Sequence, residues 1–144
     1  MITKDFQDLI PEYKNLVEQA KAASQSGYAV YSGYRVGAAA LCADGSFYLG
    51  ANFENASFPC SICAEQAALA CANSSGHRDV KAIAIFALKA QQPIAPCGLC
   101  RQVIAQMASL SNCDIEIIMS DANMQKVRLA KISQLLPDQF KLNG

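Results

Sequence analysis

A chain of 144 residues, 52% of them apolar, is long enough to bury one substantial core, and a single domain over 1–144 is expected. Twelve basic residues balance twelve acidic ones; the basic side chains are scattered, which excludes the footprint of a polynucleotide binder, and zero net charge mildly favours self-association. No apolar run reaches the roughly 18 residues of a membrane span, and Lys4, Asp5, Asp8, Glu12, Lys14 and Glu18 interrupt any export signal, so a cytoplasmic protein with no membrane or polynucleotide partner is expected.

In chain order, Phe6, Leu9, Ile10, Tyr13, Leu16, Val17 and Ala20 recur at three- and four-residue steps. That spacing predicts an amphipathic helix from Lys4 to about Ser26, delayed in its first turns by Pro11. Val36 to Ala43 and Phe47 to Asn52 read as two strands of a hairpin turning at Asp44-Gly45. Ile62 to Asn73 reads as a helix of small apolar residues, and its lack of a polar face predicts burial on nearly every side. Val80 to Leu88 reads as a central strand, Leu99 to Leu110 as a helix and Ile115 to Met119 as a strand. A weaker strand over Gln125 to Leu129 and a short helix near Ile132 to Leu136 complete the chain. This order predicts an α/β fold, a mixed sheet covered by helices on both faces.

The chemistry lies in the cysteines. There are seven, with a single histidine, His77 in a polar turn, so a metal site must rest on thiolates. In a chain without an export signal, cysteines serve as metal ligands, nucleophiles or core residues rather than disulfides. Cys42, Cys71 and Cys113 read as small core hydrophobes and His77 as a solvated turn residue. Cys97 and Cys100 form a C-x-x-C turn just before a helix, and Cys63 stands at the start of another. Helix N-termini favour the thiolate over the thiol. With Cys60 the pattern becomes two C-x-x-C pairs separated by 33 residues, which also describes a closed four-cysteine structural zinc module for protein interaction. Glu65 distinguishes the two readings. As a bland N-terminal carboxylate it complements the helix dipole by about 0.3–1 kcal/mol. As a functional group beside three thiolates it is a proton shuttle for water at an open fourth position. Cys63-Ala64-Glu65 with Pro96-Cys97-Gly98-Leu99-Cys100 matches the known all-cysteine signature of zinc deaminases.

The chain resembles the small homotetrameric cytidine deaminases. The matching stretches are YSGYRVGAAAL (Tyr31 to Leu41), GANFENASFP (Gly50 to Pro59), ICAE (Ile62 to Glu65), PCGLCRQV (Pro96 to Val103) and LLPDQF (Leu135 to Phe140), in the family's order. The resemblance implies a three-layer α/β/α sandwich with a mixed five-stranded sheet, and a homotetramer with shared active sites. It implies one zinc per chain on Cys63, Cys97 and Cys100, with Glu65 as the catalytic proton shuttle. The substrate it implies is a pyrimidine nucleoside, cytidine or deoxycytidine, deaminated as a step of pyrimidine salvage. Asn52 and Glu54 would hold the ribose 3′-hydroxyl, while the Ala56 backbone and the Phe140 side chain would reach a neighbouring subunit's site.

Four positions depart from the family's usual pattern. Tyr34 replaces a phenylalanine against the pyrimidine and keeps the stacking face. Phe58 replaces a tyrosine and loses a hydroxyl for the sugar 5′-oxygen. Gln66 replaces an arginine beside the thiolates, supplying hydrogen bonds without charge, so the pKa of zinc-bound water is expected to rise unless Arg101 compensates. Cys60 replaces an aliphatic residue. Phe58 and Gln66 leave open an alternative substrate, a modified cytosine nucleoside such as blasticidin S or an N4-substituted cytidine.

Overall fold

The proline at position 11 sets how the chain begins. In the computed structural model, which describes residues 1–142, Ile10 is extended (φ −62°, ψ 149°) and Pro11 takes the first helical position, where its missing N–H costs nothing. The first helix, α1 (Pro11–Ser24), therefore starts seven residues later than the periodicity suggests. The residues before it form an edge strand, β1 (Ile2–Asp5), and a single 3-10 turn (Phe6–Asp8). The apolar period of this segment is real, but a proline-ended segment satisfies its backbone from a part of the chain distant in sequence instead: Phe6 N donates to Gln125 O at 2.9 Å.

The remaining elements follow the expected order with ends shifted by a residue or two. They are β2 (Val36–Cys42), β3 (Phe47–Ala51), α2 (Ala64–Ser74), β4 (Val80–Ala87), α3 (Gly98–Ser111), β5 (Glu116–Ser120), β6 (Lys126–Lys131) and α4 (Ile132–Leu135). One mixed sheet runs in the order β1-β6-β5-β4-β2-β3, so it has six strands rather than five, the extra one being β1 against β6. Among the described strands of this sheet only β4 and β5 pair in parallel, joined by the crossover through α3.

Side-chain alternation splits the core into two layers. Ala39, Leu41, Ala82, Ala84 and Phe86 face Leu16, Val17 and Ala20 of α1. Ala38, Ala40, Ile83 and Ile85 face Ala68, Leu69 and Ala72 of α2 and Ile104 of α3. Two glycines allow the helices to press onto the strands. A Cβ on Gly50 of β3 would stand 2.2 Å from Ala68 N, and one on Gly37 of β2 would stand 2.0 Å from Ala20 O. The expectation that α2 is buried all round is not met in one chain. Ala64, Glu65, Ala68, Leu69 and Ala72 are buried, while Ala70 and Cys71 are exposed beside an apolar groove between α2 and α3.

Candidate active site

Two helices begin on a cysteine, and both cysteines face the same point. Cys63 is the N-cap of α2 and Cys97 the N-cap of α3, each in extended conformation (ψ 156° and 168°). The Cys97 sulfur accepts from Cys100 N at 3.5 Å, which draws the C-x-x-C turn tight. The sulfurs of Cys63, Cys97 and Cys100 all lie within 4.8 Å of one another. A tetrahedral zinc with Zn–S bonds of about 2.3 Å needs sulfurs roughly 3.8 Å apart, so this donor set fits zinc with minor closure. Cys60 is exposed on the 3-10 turn Phe58–Cys60 and stands outside the cluster. The described residues thus offer three thiols and an open side, not a closed set of four.

The charges around the cluster follow from its burial. The thiol of Cys63 is pushed down to about 7, first by the hydrogen bond it receives from the Cys100 thiol, against the opposing effect of burial. Cys100 is pushed up, because its proton is the one being donated and because it is buried. Glu65, in the first turn of α2, is only 5% exposed. Burial raises its pKa above the usual carboxylate range, the N–H of its own residue and the Cys100 thiol opposing the rise. Gln66 Nε2 donates to Cys100 Sγ at 3.6 Å, a neutral donor on a sulfur of the cluster. Arg101 does not offer its charge to the sulfurs. Its Nε donates to Pro96 O at 2.8 Å and its Nη1 to Leu135 O at 2.9 Å, tying the segment before Cys97 to the end of α4.

A cavity of about 370 Å³ opens in front of the cluster. Tyr34, Val36, Asn52, Glu54, Ile62, Ile94 and Ala95 line it together with Cys63, Glu65 and Cys97. The start of β2 and the ends of β3 and β4 meet there, since Val36 pairs with Ala87 and Gly37 with Ala51. Asn52 is already bonded within the chain: its Oδ1 accepts from Val36 N at 3.0 Å and its Nδ2 donates to Tyr34 O at 2.8 Å. One N–H and one lone pair of its amide remain for a ligand. Glu54 accepts from the Ser32 hydroxyl and from the backbone N–H groups of Ser32 and Tyr31, both at 3.0 Å. These bonds, the Ser32 hydroxyl first, hold its carboxyl below the usual range, so it is a carboxylate.

Ser32 is the residue that sequence reading missed. Its hydroxyl donates to Glu54 while its oxygen accepts from Tyr34 N at 3.0 Å, so it fixes the whole Tyr31–Tyr34 wall. The signal was a serine beside Gly33, whose φ of +67° marks a tight turn. Ala56, Phe58 and Phe140 are not brought to the cavity of their own chain. Phe58 and Phe140 are both 71% exposed, Phe58 against Tyr31 and Phe140 at the α2–α3 groove.

A family model described as the cytidine and deoxycytidylate deaminase zinc-binding region matches residues 11–113. The cytidine deaminase of Halalkalibacterium halodurans is 44% identical over 126 residues, 87% of this chain and 91% of that protein. Among solved structures, cytidine deaminase from Burkholderia pseudomallei superposes with a TM-score of 0.79 at 41% identity, covering 88% of this chain and 97% of that one. The Mycobacterium tuberculosis cytidine deaminase gives 0.75 at 32% identity, covering 90% and 98%.

Proposed function

The chain belongs to the cytidine and deoxycytidylate deaminase family, and on that premise we propose that it hydrolyses the C4 amine of cytidine and deoxycytidine, a step of pyrimidine salvage. The products are uridine or deoxyuridine and ammonia. One observation carries this reading: a buried carboxyl, Glu65, shares a nucleoside-sized cavity with three clustered thiols.

Cys63, Cys97 and Cys100 would hold one zinc ion per chain. When bound, zinc supplies a Lewis acid that makes water a nucleophile near neutral pH. Glu65 takes the proton from that water and passes it to N3 of the pyrimidine. It then takes the second proton, from the new hydroxyl on C4, and gives it to the amine nitrogen as the C4–N bond breaks and the C4 carbonyl forms. The upward shift of its pKa by burial suits a group that must both accept and donate. Gln66 offsets part of the thiolate charge through its hydrogen bond to Cys100. Tyr34 offers a ring face to the base. Asn52 and Glu54 hold the ribose hydroxyl, an amide donor and a carboxylate acceptor on one wall.

We also propose a homotetramer in which Ala56, Phe58 and Phe140 complete a neighbouring copy's cavity. Their placement outside their own cavity and the open apolar groove beside Phe140 support this. Among the described residues no helix is long and apolar enough to cross a membrane, and seven free cysteines suit a reducing cytoplasm.

The experiment is an ultraviolet assay of zinc-loaded protein against cytidine, deoxycytidine, an N4-substituted cytidine and blasticidin S. Turnover of the two plain nucleosides is expected, and no turnover of any of the four would overturn the assignment. Glu65→Ala should keep its zinc and lose turnover by about 10²–10⁴-fold. For the assembly, a light-scattering mass near the 15.4 kDa of one chain would overturn the tetramer.

A further inference from the structure

At the far end of the sheet, a second set of metal-binding side chains meets, and deamination uses none of them. β2 runs from Val36 at the thiol end to Cys42 at this one, a span of roughly 20 Å at about 3.3 Å per residue. Cys42 closes β2, Asp79 stands just before β4, and His77 lies in the loop between α2 and β4. One ligand atom from each of the three lies within 4.8 Å of the other two. His77 Nδ1 is 3.3 Å from Asp79 Oδ1 and 4.0 Å from Asp44 Oδ2. A tetrahedral zinc with bonds of about 2.1 Å holds its nitrogen and oxygen ligands roughly 3.4 Å apart. The histidine read from sequence as a solvated turn residue is half-buried, beside two carboxylate oxygens and a thiol.

The backbone holds this arrangement independently of the side chains. A register shift between Leu41 and Cys42 re-aims the strand end, and Ala43 N donates to Asp79 O at 3.0 Å. His77 N is bonded to Ala72 O at 2.9 Å, and the Tyr48 ring packs on the imidazole with centroids 5.3 Å apart. Asp44 uses Oδ1 for the turn, accepting from Ser46 N and Oγ, which leaves Oδ2 toward His77. Among the described residues neither Asp44 nor Asp79 has a lysine or arginine ion-pair partner; the neighbouring Arg78 turns its Nε to Asn73. Two carboxylates and a buried thiol thus face one imidazole.

We propose that Cys42, His77 and Asp79, with Asp44 as the nearest fourth donor, form a second divalent-metal site of the zinc class. It pins the β2–β3 turn to the α2–β4 loop. One sulfur and one imidazole select zinc or cobalt over magnesium or calcium, which require oxygen shells. Binding exchanges a proton for the metal: the Cys42 S–H bond breaks, the sulfur–metal bond forms, and the proton leaves to solvent. Burial keeps that thiol protonated in the metal-free site.

The test uses protein already holding its tight zinc, dialysed free of loose metal and titrated with Co²⁺ and with Zn²⁺. A second molar equivalent is expected, carrying a thiolate-to-cobalt charge-transfer band and releasing the thiol proton. His77→Ala and Asp79→Asn, both partly exposed and outside the deaminase cavity, should lose that equivalent and its band while cytidine turnover stays unchanged. Cys71→Ser should retain it. No uptake beyond the first ion, or a band that persists in His77→Ala, would overturn the site and leave the His77–Asp79 contact as an ordinary hydrogen bond.

Discussion

Adding one methyl group at Gly50 tests how the sheet positions the catalytic helix. In Gly50→Ala the new Cβ would sit 2.2 Å from Ala68 N, 2.4 Å from Ala64 O and 2.8 Å from Ala67 C. All three are backbone atoms of α2, so no side chain can rotate away. Ordinary contact lies near 3.5–4.0 Å, so α2 must lift from β3 by about 1 Å. The first turn of α2 carries Cys63 and Glu65, while Cys97 and Cys100 stay on α3. Metal–ligand distances tolerate only about 0.2 Å, so zinc affinity falls as well. Overpacking of this kind costs about 1–3 kcal/mol, and a 1 Å misplacement of reacting groups costs roughly 100-fold in rate. Gly37→Ala is the comparison. Its Cβ meets Ala20 O at 2.0 Å and Ser24 N at 2.4 Å on α1, which carries no ligand. Urea unfolding, zinc content and kcat/KM for cytidine should show both variants destabilised, with the larger loss of zinc and rate in Gly50→Ala. An undiminished kcat/KM and unchanged unfolding midpoint in Gly50→Ala would refute the reasoning.

Two further outcomes follow from side-chain hydrogen bonds. Tyr13 Oη donates to Glu116 Oε2 at 2.8 Å, and its ionisation is pushed above the ordinary value, first by burial and then by that carboxylate. The native state therefore holds this proton more tightly than the unfolded chain, a contribution fully present below about pH 10 and lost above it. Tyr13→Phe should cost about 1 kcal/mol at pH 7, and the gap from the parent should close in unfolding curves taken above pH 10; a constant gap would contradict this. Arg101→Lys cannot reach both Pro96 O and Leu135 O, and should lose about 2 kcal/mol in urea unfolding while releasing zinc faster to a chelator. Zinc release unchanged from the parent would mean that the tie to Pro96 does not steady Cys97.

Much of the site was legible because its parts are local. Cys97 and Cys100 lie three residues apart, Cys63 and Glu65 two, and each group's place follows from standing at a helix start. The hairpin at Asp44-Gly45 was equally plain, since Gly45 takes a φ of +89° there. What was hidden depends on partners distant in sequence. The helical apolar period starts at Phe6, directly after β1, and nothing between residues 2 and 5 announces a strand whose partner begins at Lys126. Arg101 offered a charge near the sulfurs, but carbonyls at Pro96 and Leu135 claim it. Asn52 was expected to hold the ribose 3′-hydroxyl, and nothing in the sequence shows that half its amide is already bound to the backbone of Val36 and Tyr34. Cys42 and His77 looked bland singly; only the pairing of Cys42 with Val80 brings the strand end to the loop that holds His77.

The most direct test of the active-site assignment is tightly held zinc and cytidine turnover, measured side by side in Cys60→Ser and Cys63→Ser. Cys60 is exposed and outside the thiol cluster, while Cys63 caps α2 within it. The expected result is that Cys60→Ser keeps both zinc and turnover and Cys63→Ser loses both. Loss of the tight zinc in Cys60→Ser would contradict the three-thiolate centre and favour a closed four-cysteine site.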